Sequence, residues 1–94
     1  MGERYKNNIG PQVRRHRYAL SWSRSDLATK LRSAGFDISR SDVSKIEARL
    51  SYVDDKTFLY LAEVLRVPAQ DLFPARTPGN RLYEIMEKLE TTRF

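Results

Sequence analysis

The feature that most constrains this chain is the spacing of its apolar residues, which recur every three or four positions from Ile9 onward. Residues at this spacing share one face of an α-helix, and no segment shows the alternation typical of a β-strand. The pattern predicts an all-α protein, with five helices over residues 9–74 and a further amphipathic helix near the C-terminus. We expect Ala34, Leu50 and Leu59 to extend the buried faces of the second, third and fourth helices.

Helix-start signals divide the chain into these segments. Ser23 and Ser39 are each followed three residues later by an aspartate, Asp26 and Asp42. At this spacing the serine hydroxyl and the carboxylate can both accept from free amides of the first turn, so each pair predicts a capped helix start. Asp54 is in a suitable position to cap the fourth helix.

The distribution of charge indicates the kind of partner. The net charge is +5, and residues 1–53 hold eleven Lys and Arg against five Asp and Glu, whereas residues 54–94 hold six against seven. A basic half favours a polyanion such as nucleic acid, with the other half as scaffold.

Several function classes are disfavoured by what the sequence lacks. There is no cysteine and only one histidine, His16, so we expect no disulfide, no metal site and no cofactor. We find no nucleophile–base pair or glycine-rich phosphate loop, so we do not expect an enzyme. No apolar run approaches the roughly 20 residues of a membrane helix, so we expect a cytoplasmic protein.

The third predicted helix is unusual because its apolar stripe is narrow, with Val43 and Ile46, and hydrogen-bonding side chains crowd its other side. Those residues are Arg40, Ser41, Ser44 and Lys45. A helix with such a surface can lie in the DNA major groove, where base edges present donors and acceptors. The alternative is that Arg40 and Lys45 are solvated surface charges and that the two serines are inert.

From Ile9 to Phe73 the sequence resembles the phage-repressor-like helix-turn-helix family, known as the XRE family. The resemblance rests on four stretches in order: Ile9-Gly10, Val13-Arg14 and Arg17; Ser21-Trp22-Ser23-Arg24-Ser25-Asp26-Leu27-Ala28; Ile38-Ser39 and Val43-Ser44-Lys45-Ile46-Glu47; and Leu61-Ala62-Glu63-Val64-Leu65-Arg66-Val67 with Asp71-Leu72-Phe73. It implies a five-helix, repressor-like DNA-binding domain. The implied function is a sequence-specific regulator of transcription, and we expect a repressor that occupies an operator in double-stranded DNA.

The resemblance also assigns roles to residues. Arg40, Ser41 and Lys45 would contact bases. Contacts to the DNA backbone would come from Arg24, Arg49, Ser51 and Tyr52. Apart from the resemblance, we expect Ser39 to be a structural cap, with a phosphate contact as a second role. Arg17 and Glu47 match a pair that forms an internal salt bridge in the family.

The sequence departs from the family pattern in two regions, the turn before the third helix and the loop after it. Five residues are added between Leu31 and Ser39, which predicts either a longer second helix or a turn that bulges around Phe36. Arg49 stands where relatives usually have glycine, and the usual proline near Val53 is missing.

The ends of the chain have separate predictions. We expect residues 1–8 to be a flexible N-terminal arm, residues 9–74 to be the DNA-binding domain, and residues 75–94 to be a linker and a C-terminal helix. The apolar face of that helix comprises Leu82, Ile85, Met86 and Leu89. We favour a homodimer through this face, with folding back on the domain or binding another protein as alternatives. An antitoxin-like module and an interaction domain without DNA binding are the alternative functions.

Overall fold

The structure is a computed structural model that describes residues 5–74, and this part of the chain is all-helical. Four α-helices follow in order: α1, Gly10–Ala19; α2, Arg24–Ser33; α3, Arg40–Glu47; and α4, Asp55–Leu65. The fifth predicted segment is a short 3₁₀ helix, Ala69–Leu72. The predicted C-terminal helix lies outside the described residues.

The starts of α2 and α3 are the capping boxes that the sequence predicted. Ser23 Oγ accepts from the backbone N–H of Asp26 at 3.0 Å, and the Asp26 carboxylate accepts from Ser23 N–H at 2.8 Å. Ser39 and Asp42 repeat this arrangement, with both distances 3.0 Å. The backbone N–H of Ser39 holds the pKa of the Asp42 carboxyl below its usual value. Each such cap stabilises a helix by about 1 kcal/mol, so the two starts are fixed locally.

All four α-helices end in the same way. The chain turns through a residue with a left-handed backbone, at Ser21, Gly35, Arg49 and Arg66, where φ is 61°, 103°, 65° and 62°. The N–H of the next residue then donates back to the last turn, as from Trp22 to the Arg17 carbonyl at 3.1 Å. Only one of these four residues is glycine, so the other three turns carry backbone strain.

The four α-helices and the 3₁₀ helix enclose one apolar core. α1 packs against α3, α4 and the 3₁₀ helix, while α2 packs against α3 and α4. Within residues 5–74, twelve buried apolar residues form this core: Ile9, Val13, Leu27, Ala28, Leu31, Ile38, Val43, Ile46, Leu61, Ala62, Leu65 and Leu72. α3 contributes only two of them, so most of its surface is left for other contacts.

Three residues predicted to extend the core are exposed, and the prediction was wrong for them. Ala34 follows the last turn of α2, where the stripe of that helix has ended. Leu50 is 65% exposed because the left-handed turn at Arg49 directs the chain away from the core. Leu59 is 60% exposed, since it lies on the side of α4 away from Leu61 and Leu65.

The added residues between α2 and α3 form the connection. The ring of Phe36 stacks on that of Tyr60, with centroids 4.9 Å apart, and packs against the core. The Arg32 guanidinium donates to the Ile38 carbonyl at 2.8 Å, which closes the loop onto the end of α2. Of the two expectations for this insertion, the structure shows a bulged turn anchored by Phe36.

The strained turns provide a test of this fold. Ser21→Gly should stabilise the protein by about 1 kcal/mol, because glycine adopts the left-handed region without a steric cost. Gly35→Ala should destabilise it by a similar amount, because alanine is strained at the positive φ of this residue. A Cβ at position 35 would clash with nothing, since its nearest neighbour is Tyr60 Oη at 3.8 Å, so backbone strain is the whole effect. Urea unfolding of both variants measures these effects. Changes of the same sign in the two variants would contradict the assigned turns.

Candidate nucleic-acid interface

The two sides of α3 differ in burial and in chemistry. Val43 and Ile46 are buried in the core, whereas Arg40, Ser41 and Lys45 are exposed. Within residues 5–74, no hydrogen bond or ion pair engages the side chains of Arg40 and Lys45. These two cations are therefore presented outward with donors for an external partner.

The three serines predicted to lie at this surface, Ser39, Ser41 and Ser44, differ in burial and in hydrogen bonding. Ser44 is half-buried, so it is less accessible than Ser41. Ser39 is exposed but already serves as the cap of α3, where its Oγ accepts a backbone N–H. Its hydroxyl proton is still available to donate.

Arg17 and Glu47, the predicted ion pair, form a bidentate contact between α1 and the last residue of α3. Arg17 Nε donates to Glu47 Oε2 at 2.6 Å, and Nη2 donates to Oε1 at 2.9 Å. Both side chains are buried, with 4% and 2% of their surface exposed. The Glu47 hydrogen bond raises the pKa of Arg17, and burial opposes it more weakly. Arg17 Nη1 also donates to the Trp22 carbonyl at 2.8 Å, so the pair additionally fixes the turn after α1.

Arg24 is a third member of this cluster, which the sequence did not predict. Its Nε donates to Glu47 Oε1 at 3.2 Å, and 37% of its side chain is exposed. A single carboxylate thus joins α1, the start of α2 and the end of α3. Arg24 was predicted to contact the DNA backbone. Within residues 5–74 its terminal nitrogens donate no hydrogen bond, so they are available to another acceptor.

Asn7 joins the start of α1 to the end of α3. Its Oδ1 accepts from the backbone N–H groups of Ile9 and Gly10 at 3.1 and 2.8 Å, which satisfies free amides at the start of α1. Its Nδ2 donates to the carbonyls of Ile46 and Ser51 at 3.1 and 2.9 Å. The sequence placed Asn7 in a flexible arm over residues 1–8, but residues 5–8 are tied to the segment that follows α3. The sequence signal that could have indicated this role is an asparagine just before a helix start, which sequence reasoning did not use.

Gly10 permits this close approach of α1 to α3. A Cβ at Gly10 would lie 2.5 Å from the Ile46 carbonyl oxygen and 2.8 Å from that of Glu47. Any side chain would therefore displace the end of α3.

Arg49, predicted to contact the DNA backbone, is bound to the N-terminal segment. Its Nε donates to the Asn7 carbonyl at 3.0 Å, its Nη2 donates to Asn8 Oδ1 at 3.0 Å, and its guanidinium lies 3.8 Å from the centroid of the Tyr5 ring. Tyr52 nearby is 78% exposed, and Lys6 Nζ lies 5.3 Å from its ring centroid. Arg49 thus shapes the loop after α3, and Tyr52 is the more accessible of the two.

Comparison with known proteins does not identify the chain. No protein-family model matches it, and neither the curated proteins nor the solved structures yield a match. In the described part of the chain, no group of three or more His, Cys, Asp or Glu residues is placed to hold a metal ion. Residues 5–74 also contain no helix with the length and apolar character that a membrane crossing requires.

Loss of the buried carboxylate should be costly. Glu47→Gln leaves the buried Arg17 guanidinium without its counter-charge and should destabilise the fold by about 3–5 kcal/mol. Arg24→Gln is the matched control, with an expected loss below about 1 kcal/mol because the Arg24 side chain is partly exposed and screened by solvent. The free energy of unfolding from urea titrations measures both. Equal, small effects would show that the buried pair does not hold α1 to α3.

Asn7→Ala tests the link between α1 and α3 at the N-terminus. The substitution removes four hydrogen bonds of a half-buried side chain and should destabilise the protein by about 2–3 kcal/mol. Asn8→Ala, which removes one exposed hydrogen bond from Arg49, should cost less than about 0.5 kcal/mol. If the two variants have the same stability, residues 5–8 are the free arm that the sequence predicted.

Proposed function

We propose that this protein is a sequence-specific, double-stranded DNA-binding regulator of transcription, in which α2 and α3 form a helix-turn-helix and α3 is the recognition helix. The observation that carries the proposal is the division of α3 into a buried side with Val43 and Ile46 and an outward side with Arg40, Ser41 and Lys45. The resemblance to the XRE family supports the same assignment.

The dimensions and donors of α3 suit the major groove. An α-helix with its side chains is about 10–12 Å across and the major groove is about 12 Å wide, so α3 can lie in the groove with its exposed side toward the bases. Arg40 lies in the first turn, the part of a recognition helix that reaches bases, and an arginine can donate two hydrogen bonds to guanine O6 and N7. Lys45, just over one turn further on, suits the same acceptors, while Ser41 and Ser44 discriminate less between bases.

Backbone contacts are assigned to the side chains that flank α3. Arg24 at the start of α2 and the hydroxyl of Ser39 lie at helix starts, where phosphate is favoured by the helix dipole. Arg49, Ser51 and Tyr52 follow the end of α3. Because phosphate neutralisation releases counterions, affinity should fall steeply with salt.

The regulatory step that follows is operator occupancy, in which the bound protein blocks transcription. A homodimer would place two α3 helices about one helical turn of DNA apart and recognise a two-fold operator. The predicted dimer face, Leu82, Ile85, Met86 and Leu89, lies outside the described residues, as does any partner-binding surface of an antitoxin-like module. We therefore assign DNA binding to residues 5–74.

The test uses duplex fragments selected for binding from a random pool. Fluorescence anisotropy should show that Arg40→Ala plus Lys45→Ala reduces the ratio of affinity for selected over scrambled DNA by at least about tenfold, since a good base contact contributes 1–3 kcal/mol. Lys56→Ala plus Arg66→Ala removes the same charge from exposed positions on and just after α4 and should leave that ratio unchanged.

Equal discrimination by both double variants would overturn the assignment of α3 as the recognition helix. Failure of the wild-type protein to select any sequence from the pool would overturn the proposed function itself.

A further inference from the structure

A cationic pocket that the proposed recognition surface does not use lies between α1 and the end of α3. It has a volume of about 350 Å³ and is lined by Pro11, Arg14, Arg15, Tyr18 and Glu47. Arg14, Arg15 and Tyr18 are all exposed, with 56% of Tyr18 accessible. The pocket therefore opens to solvent on the outer side of α1.

Tyr18 is held in place by two arginines of its own helix. Arg14 Nε and Nη2 donate to Tyr18 Oη at 3.3 and 3.2 Å, and the Arg17 guanidinium lies 4.7 Å from the centroid of the ring. Because the hydroxyl oxygen accepts from Arg14, its proton is free to be donated to a further acceptor. The same hydrogen bonds lower the pKa of Tyr18, which makes the hydroxyl a stronger donor.

The pocket has an excess of positive charge. Both oxygens of Glu47 are occupied, by Arg17 and by Arg24, so this carboxylate is already neutralised by two cations. Within residues 5–74, no carboxylate forms an ion pair with Arg14 or Arg15. Guanidinium groups that are not paired with a carboxylate, together with a tyrosine hydroxyl, are complementary to a tetrahedral oxyanion.

We propose that Arg14, Arg15 and Tyr18 form a binding site for a DNA backbone phosphate, an inference that rests on the proposed function of α3. The site adds a contact from α1 to those assigned to the start of α2 and to the loop after α3. Its role is to fix the orientation of the protein on the duplex, since phosphate contacts position a protein without reading the sequence.

The position of the pocket relative to α3 supports phosphate as the ligand. Arg40, Ser44 and Glu47 are spaced four and three residues apart, so they form one stripe along α3. The pocket adjoins the Glu47 end of that stripe, about 10 Å along the helix from Arg40. A recognition helix in the major groove lies between two sugar–phosphate backbones, so groups beside its end are close to the phosphates that border the groove.

The experiment measures affinity for the selected duplex at several salt concentrations. Arg14→Gln should weaken binding to selected and scrambled DNA by the same factor and should reduce the slope of log affinity against log salt by about 1, the loss of one phosphate contact. Tyr18→Phe retains the ring but removes a neutral donor, so it should weaken binding severalfold with the slope unchanged. Lys56→Gln is the control for loss of one charge at a distance.

The outcomes separate this site from the recognition surface. The phosphate site is overturned if Arg14→Gln and Tyr18→Phe bind DNA with the same affinity as the Lys56→Gln control. The proposed function stands in that case if Arg40→Ala plus Lys45→Ala still loses discrimination between selected and scrambled DNA. The phosphate site is also overturned if Arg14→Gln changes the preference between sequences, because a base contact would then replace the phosphate contact. Loss of selective binding in the wild type would overturn both proposals. Circular dichroism of each variant checks that the helix content equals that of the wild type.

Discussion

The buried carboxylate of Glu47 is the constraint on which the arrangement of the first three helices depends. It accepts hydrogen bonds from Arg17 on α1 and from Arg24 at the start of α2, while Glu47 itself is the last residue of α3. Removing a carboxylate from water is costly, and the cost is offset here only because the bidentate geometry satisfies both oxygens. A cluster of this kind favours one orientation of the helices over others, since any shift of α3 would leave buried charge unpaired. The exposed side of α3 is directed outward as a consequence of this buried contact.

α3 needs such support because it is short and contributes little to the core. An isolated helix of eight residues is unstable in water, and only Val43 and Ile46 bury apolar surface. The start of α3 is fixed by the capping box of Ser39. Its end is fixed by Asn7, which accepts hydrogen bonds from amides at the start of α1 and donates hydrogen bonds to carbonyls at and after the end of α3. A helix held at both ends can leave its outer side chains for a ligand.

Local features of the fold could be predicted from the sequence, whereas contacts distant in sequence could not. The capping boxes at Ser23 and Ser39 depend on residues three positions apart, and both were confirmed. The contacts of Asn7 with Ile46 and Ser51 span 39 and 44 residues and depend on how α1 lies against α3, which periodicity does not specify. Similarly, apolar spacing does not reveal that Leu50 is exposed by the left-handed turn at Arg49. Nor does it reveal that Leu59 lies on the side of α4 away from the core. For the candidate site, the sequence indicated the donors on α3 but not the contact of Arg24 with Glu47, which requires the packed helices.

Site-directed cleavage of DNA tests the central claim, that the outward side of α3 enters the groove, most directly. The chain contains no cysteine, so a single cysteine can carry a cleaving iron chelate without background labelling. Ser41→Cys on α3 and Leu59→Cys on the exposed side of α4 are the two attachment points. The account predicts strong cleavage at a few adjacent nucleotides of a selected duplex from position 41 and none above background from position 59. Cleavage from position 59 alone, or equal cleavage from both positions, would contradict it.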